Sequence, residues 1–410
     1  MTLDLKRASI SVAILSGLLA ATGSSVSAQK AYDPGASDTE IKIGNISPYS
    51  GPASFYSVIA KAEAAYFRMI NERGGINGRK INFISYDDAY SPPKTVEQAR
   101  KLVESDEVLL LFANIGTPGN SAIHKYMNSK KVPQLLAVSG SDKWADPAHF
   151  PWTMGYLPSY RAEARIYAQY ILSKDPNARI GVLYQNDDFG KEYLAGLKEG
   201  LGERSKAIIA IEVPFESTAP TIESEIARMR AAEPAVLLSF ATSKFAAQAI
   251  KRVGELGWKV THIVSQVSTS IAGVIKPAGT DNAKGVLSSY YLKDPLDPKW
   301  KDDSAMAEWR SFMDRYLPDA DKADSFYVGG YAISQVMVRI LEQCGDNLTR
   351  ENIMKQAENL DMEVSGLLPG IRVKTGPNDY RPIEQLQMMQ FTGEQWELIG
   401  PVLSGEGRAM

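Results

Sequence analysis

"VLLLFANIGTPGNSAIHKYMNSKKVPQLLAVSGSDKW", Val108–Trp144, decides the fold. It opens on a continuous apolar run, VLLLFA, the pattern of a strand covered on both faces. A helix-like stretch, SAIHKYMNSK, follows, and VPQLLAV reads as a second strand. Strand, helix and strand in so short a span imply a βαβ unit with a parallel pair. Each strand runs directly into small hydroxylic and glycine residues, Gly116-Thr117 after the first and Ser139-Gly140-Ser141 after the second.

The same alternation extends in both directions. Upstream, EIKIGNI is a strand, SVIAKAEAAYFRMINERGG a helix stopped by Gly74-Gly75, KINFISYD a strand and KTVEQARKLVES a helix. Downstream, a second series begins at ARIGVLYQ. It runs through GKEYLAGLKEGLGE, KAIIAIEV, TIESEIARMRAAE, AVLLSF, KFAAQAIKRVGELG and KVTHIVSQ. Two such series predict an α/β fold of two doubly wound parallel-sheet lobes. The Pro- and aromatic-rich DPAHFPWTMGYLPSY reads as a first crossing between lobes, with a second near Ser288-Ser289 and a third near LLPGIRVKTGPNDYRP. The last strands, LQMMQF and WELIGPV, return to the second lobe. Lobe one then comprises 38–157 plus 289–366, and lobe two 158–288 plus 367–405.

Composition sets the context. The 410 residues are 44% hydrophobic and 23% charged, ordinary for a globular chain with two cores. The net charge of -3 argues against a nucleic-acid partner. Lys6 and Arg7, the apolar Ile10–Ala21 and the small-residue site Val26-Ser27-Ala28 read as a secretory signal peptide over residues 1–28. The apolar core of that segment is well short of the ~20 residues of a membrane span. Export is expected. Cys344 is the single cysteine, so no disulfide can form within the chain, and it reads as a structural residue at a helix end.

Catalytic patterns are missing. His124, His149 and His262 are far apart and join no Cys/His cluster, so neither a metal nor a cofactor is expected. No G-x-S-x-G elbow and no G-x-x-x-x-G-K-[ST] loop occurs. The pairs Asp87-Asp88 and Asp187-Asp188 could do acid–base work, but such pairs more often cap helices and order loops. A binder is expected rather than an enzyme.

GPASFYS (Gly51–Ser57), INERGGINGRKI (Ile70–Ile81), SYDDAYSPPKTVEQARKLV (Ser85–Val103) and VLYQNDDFGKEYLAGLK (Val182–Lys198) together resemble the branched-chain amino acid (Leu/Ile/Val-binding) type of periplasmic solute-binding protein. The resemblance runs from about Ile41 to Val402. It implies the type I fold, with a three-strand hinge, and a monomer that closes over a small ligand and docks on the permease subunits of an ABC importer. It also implies that the ligand's carboxylate is held at two adjacent strand-to-helix turns of lobe one, here Gly116-Thr117 and Ser139-Gly140-Ser141. Helix N-termini and exposed amides suit an anion there. Capping of the following helices is the plainer role for the same hydroxyls. Tyr56 falls on the family's aromatic position and is expected to pack on the ligand's apolar part.

Lobe two departs from the family pattern. The stretch that should carry a carboxylate for the ligand's ammonium is IVSQVSTSIAG, with Gln266 and Ser268 but no Asp or Glu. Phe189 stands where tyrosine is usual, and FATSKFAAQ offers Thr242. A buried ammonium without a counter-charge costs several kcal/mol. IGTPGN, KKVPQL, NDDFGK and DPKWKDD also resemble a subgroup linked to aromatic acids such as benzoates and phenylpropanoids. The expected ligand is therefore a small hydrophobic or aromatic carboxylate. A branched-chain amino acid remains the alternative, with Asp187 or Asp188 supplying the missing charge. A sensory ligand-binding module on the same fold is the alternative from another class.

Overall fold

The computed structural model describes Lys30–Gly405, so the signal-peptide segment lies outside the described residues. The first sheet contains β1 (Glu40–Ser47), β2 (Lys80–Asp87), β3 (Leu110–Phe112), β4 (Gln134–Ala137) and β5 (Thr153–Gly155). All pairings are parallel, in the order β2-β1-β3-β4-β5. Between them run α1 (Ser57–Glu72), α2 (Pro92–Arg100) and α3 (Thr117–Lys130). The expected apolar face of α1, with Ile59, Ala62, Tyr66 and Met69, is buried. Every residue of β3 and β4 is buried, which explains their unbroken apolar runs.

The chain then enters α4 (Tyr160–Lys174) and the second sheet. This contains β6 (Ile180–Gln185), β7 (Ile209–Phe215), β8 (Val236–Phe240), β9 (Thr261–Val264) and β10 (Leu287–Tyr290). The helices α5 (Asp188–Leu201), α6 (Glu223–Ala231) and α7 (Ser243–Glu255) connect the first strands. The inner order β7-β6-β8-β9-β10 repeats the winding of the first sheet, a kinship the sequence does not display. After α8 (Ser304–Tyr316), α9 (Ser325–Cys344) and α10 (Arg350–Ala357), the chain adds β11 (Gln385–Phe391) and β12 (Trp396–Ser404). β11 joins β10 antiparallel and β12 joins β11 antiparallel, so this edge is mixed rather than parallel.

Three passages link the sheets: after β5, after β10, and before β11. The second and third lie side by side, bridged at Leu292 and Leu367, with Leu368 N–H on the Tyr291 carbonyl at 2.9 Å. The carboxylate pairs serve as local ties. Asp88 accepts the Tyr90 N–H and the Thr95 hydroxyl, and Asp187 caps α5 by accepting the Gly190 N–H. Cys344 ends α9 and is buried, which pushes its thiol up to about 12.

Candidate ligand-binding site

Both sheets are wound so that the strand order reverses beside their first strand, between β1 and β3 and between β6 and β8. Ligands of open α/β sheets sit outside the carboxyl ends of the strands at such points. Here the two switch points face each other across one cavity of about 70 Å³. That is room for roughly five to seven water-sized sites, the scale of one small organic molecule. Tyr56 follows β1, Gly116 and Thr117 follow β3, Phe189 follows β6 and Thr242 follows β8. Gln266 follows β9, and all six line the cavity.

The lobe-one turn is built for close approach. Gly116 has φ of 102°, and a Cβ there would stand 2.6 Å from the Tyr90 ring. It starts α3 without any side-chain cap, and this helix start, Gly116 and Thr117, lines the cavity. Thr117 Oγ1 and Ser139 Oγ are 2.8 Å apart and both buried. Tyr160 Oη lies 3.5 Å from Thr117 Oγ1, and the Tyr160 N–H donates to the Gly140 carbonyl. A Cβ on Gly140 would meet the Pro158 carbonyl at 2.3 Å, so only glycine lets the first crossing pass this near. Ala89 and Tyr90 both take positive φ, 51° and 59°, which turns the Tyr90 ring under Gly116.

The opposite wall comes from lobe two. Thr242 Oγ1 donates to Gln185 Oε1 at 3.1 Å, and Gln185 Nε2 donates to Asp187 Oδ2 at 2.5 Å. Phe189 meets Tyr160 edge-on at 5.2 Å between ring centres. Gln266 is held by its backbone N–H, which donates to Glu163 Oε1 at 2.8 Å. Glu163 also accepts the Tyr167 and Tyr193 hydroxyls, each at 2.6 Å. Burial still pushes its carboxyl up to about 7.

Tyr56 closes the cavity. Its ring stacks on Phe326 at 5.7 Å. Its hydroxyl donates to the Val267 carbonyl at 2.8 Å and accepts the Ser243 N–H at 3.0 Å, both on the other lobe. Thr242, the N-cap of α7, makes no side-chain cap of its own, so Tyr56 caps that helix from across the cleft. Outside the cavity, Asp188 receives the Lys143 ammonium and the Ser121 hydroxyl. Glu192 accepts the Ser141 hydroxyl and, at 2.9 Å, the Asp142 N–H.

A sequence profile described as periplasmic binding protein matches residues 40–395. The chain belongs to that family. Among similar periplasmic binding proteins, Leu/Ile/Val-binding protein homolog 1 of Brucella abortus is 24% identical over 336 residues, covering 77% of this chain and 82% of that one. A branched-chain amino acid ABC transporter protein from Thermus thermophilus, solved with bound valine, superposes with a TM-score of 0.79 at 15% identity. It covers 89% of this chain and 97% of its own. An ABC-transporter solute-binding protein from Rhodopseudomonas palustris BisB5, in complex with 3,4-dihydroxybenzoic acid, gives a TM-score of 0.74 at 19% identity. The coverage there is 89% and 98%.

In this periplasmic binding protein the nine residues singled out from sequence divide three ways. Tyr56, Gly116, Thr117, Phe189, Thr242 and Gln266 line the cavity. Ser139 stands directly behind Thr117, its hydroxyl on that of Thr117. Ser141 and Ser268 are not brought to the cavity: Ser141 turns to Glu192, and Ser268 donates to the Ala241 carbonyl at 2.5 Å. Asp187 and Asp188 are also outside the lining, the first committed to the α5 cap and Gln185, the second to Lys143 and Ser121. Sequence reasoning missed Tyr90, Tyr156, Tyr160, Tyr290, Tyr291 and Phe326, which make the lining strongly aromatic. Among the described residues no three His, Cys, Asp or Glu side chains converge on a metal position, and no helix is long and apolar enough to cross a membrane.

Proposed function

We propose that this chain is the exported solute receptor of an ABC importer and traps a small aromatic, or similarly hydrophobic, carboxylate between its lobes. The observation that carries the reading is the composition of the cavity wall. It holds no Asp, Glu, Lys or Arg, while tyrosines and phenylalanines dominate it. An α-amino acid would bury its ammonium against this wall with no counter-charge, at several kcal/mol. A carboxylate meets a different surface, the uncapped N-terminus of α3 with the hydroxyl of Thr117 backed by that of Ser139, and needs no cation.

In this reading Thr117 and the start of α3 hold the carboxylate, Ser139 fixes the Thr117 hydroxyl from behind, and Tyr56, Tyr160 and Phe189 enclose the ring. Ligand binding favours the closed arrangement because it touches both lobes. The closed receptor then meets its permease subunits as a monomer in the periplasm. A branched-chain amino acid is the second reading, supported by the valine-bound neighbour and the Leu/Ile/Val-binding relatives.

A thermal-shift screen of the exported form, followed by calorimetry, tests the proposal. Benzoate-type acids should raise the melting temperature by mass action, and leucine and valine should not. A shift with leucine or valine alone would overturn it in favour of the second reading.

A further inference from the structure

Three side-chain polar atoms in the cavity wall have no partner within the chain. Two are the carboxamide oxygen and nitrogen of Gln266, a residue 1% exposed on lobe two, and the third is the hydroxyl of Tyr156, 2% exposed at the first crossing. Buried polar atoms are nearly always paired, so each such orphan asks what satisfies it. Other wall hydroxyls are engaged: Tyr56 with Val267, Tyr290 with Ser325, Thr242 with Gln185. The two residues that carry them are also held in place. The Gln266 backbone is tied to Glu163, and the Tyr156 N–H donates to the Ala137 carbonyl at 3.0 Å.

We infer that Gln266 and Tyr156 read a hydroxyl on the ligand, so that the solute is a hydroxylated aromatic carboxylate rather than a plain one. This rests on the carboxylate reading above and narrows it. The carboxamide offers an oxygen that only accepts and a nitrogen that only donates. A ligand carboxylate can accept from the nitrogen but has nothing to donate to the oxygen, which it leaves unpaired. A bare hydrocarbon ring would leave all three atoms desolvated and unpaired, the costly case for buried polar groups. A phenolic hydroxyl donates to Gln266 Oε1, and the Tyr156 hydroxyl can donate to a ligand oxygen or accept from a ligand hydroxyl. An ammonium could also donate to Gln266, but it brings a full charge that nothing in the wall balances. Sites built to bond a hydroxyl reject analogues lacking it far more strongly than apolar pockets reject a missing methylene.

The test is calorimetry with benzoate, 3-hydroxybenzoate and 4-hydroxybenzoate on the wild type, Tyr156→Phe and Gln266→Leu. At least one hydroxybenzoate should bind the wild type ten-fold or more tighter than benzoate. Tyr156→Phe, which keeps the ring, and Gln266→Leu should each weaken that hydroxybenzoate ten-fold or more and so narrow or reverse its advantage over benzoate, whose binding the loss of an unpaired atom does not weaken. Benzoate binding as tightly as both hydroxybenzoates would overturn the inference and leave the carboxylate reading standing. So would variants that weaken benzoate and hydroxybenzoate alike. If none of the three acids binds the wild type, both the inference and the carboxylate reading fall. The wild-type comparison decides the matter even if Gln266→Leu does not fold.

Discussion

The Tyr56 hydroxyl accepts the backbone N–H of Ser243 at 3.0 Å, so a side chain of one lobe caps a helix of the other. Removing it leaves that N–H and the Val267 carbonyl unpaired in the closed form. Each buried loss costs about 1–3 kcal/mol. Tyr56→Phe should therefore weaken ligand binding by about thirty-fold or more, mainly through faster release. Stopped-flow dissociation checks this. An unchanged release rate would mean that the hydroxyl does not hold the lobes together.

Thr117→Ala combined with Ser139→Ala removes the two facing hydroxyls and leaves no unpaired partner between them. Affinity for an aromatic carboxylate should fall about a hundred-fold. The circular dichroism spectrum should be unchanged, because neither hydroxyl caps α3. Equal affinity in the double variant would put the carboxylate elsewhere.

The rim ion pair behaves differently. Lys143 and Asp188 face each other across the cleft with side chains 44% and 39% exposed. Pairs so exposed contribute about 0–1 kcal/mol and are screened by salt. Lys143→Ala should shift affinity by less than about five-fold, and the difference should vanish at high ionic strength. Titrations at low and high salt measure it.

Glu163 gives a pH dependence. Burial raises its folded-state value to about 7 from an ordinary 4.5, so the folded chain keeps a proton that the unfolded chain has lost. Its contribution to stability is full below pH 4.5 and is lost as pH rises through about 7. Glu163→Gln carries no such proton. Its stability relative to wild type should therefore improve between pH 5 and pH 8, by an amount on the order of 3 kcal/mol. Denaturant unfolding of both proteins at the two pH values reads the difference, and a pH-independent gap would contradict the assignment.

The strand–helix alternation was legible because runs such as VLLLFA and AVLLSF are buried on both faces and carry that burial in their composition. The turns after β3 and β4 were legible as small-residue clusters. Which hydroxyl in a cluster faces the cavity was not. Ser139 and Ser141 are two residues apart, yet the first meets Thr117 and the second reaches Glu192. The aromatic wall was hidden for a related reason. Tyr156, Tyr290 and Tyr291 lie at or beside the crossings, where the path between lobes, not a period of 2 or 3.6, sets the direction of each ring. Tyr90 depends on two left-handed residues that no periodicity announces.

Both groups that Tyr56 reaches across the cleft, the Ser243 N–H and the Val267 carbonyl, belong to the main chain. Every residue supplies these groups, proline's missing N–H aside. Side chains on the second lobe can therefore be exchanged without removing what Tyr56 holds. Substitutions around Gln266 and Phe189 can reshape the cavity wall while both bonds that Tyr56 makes across the cleft stay in place.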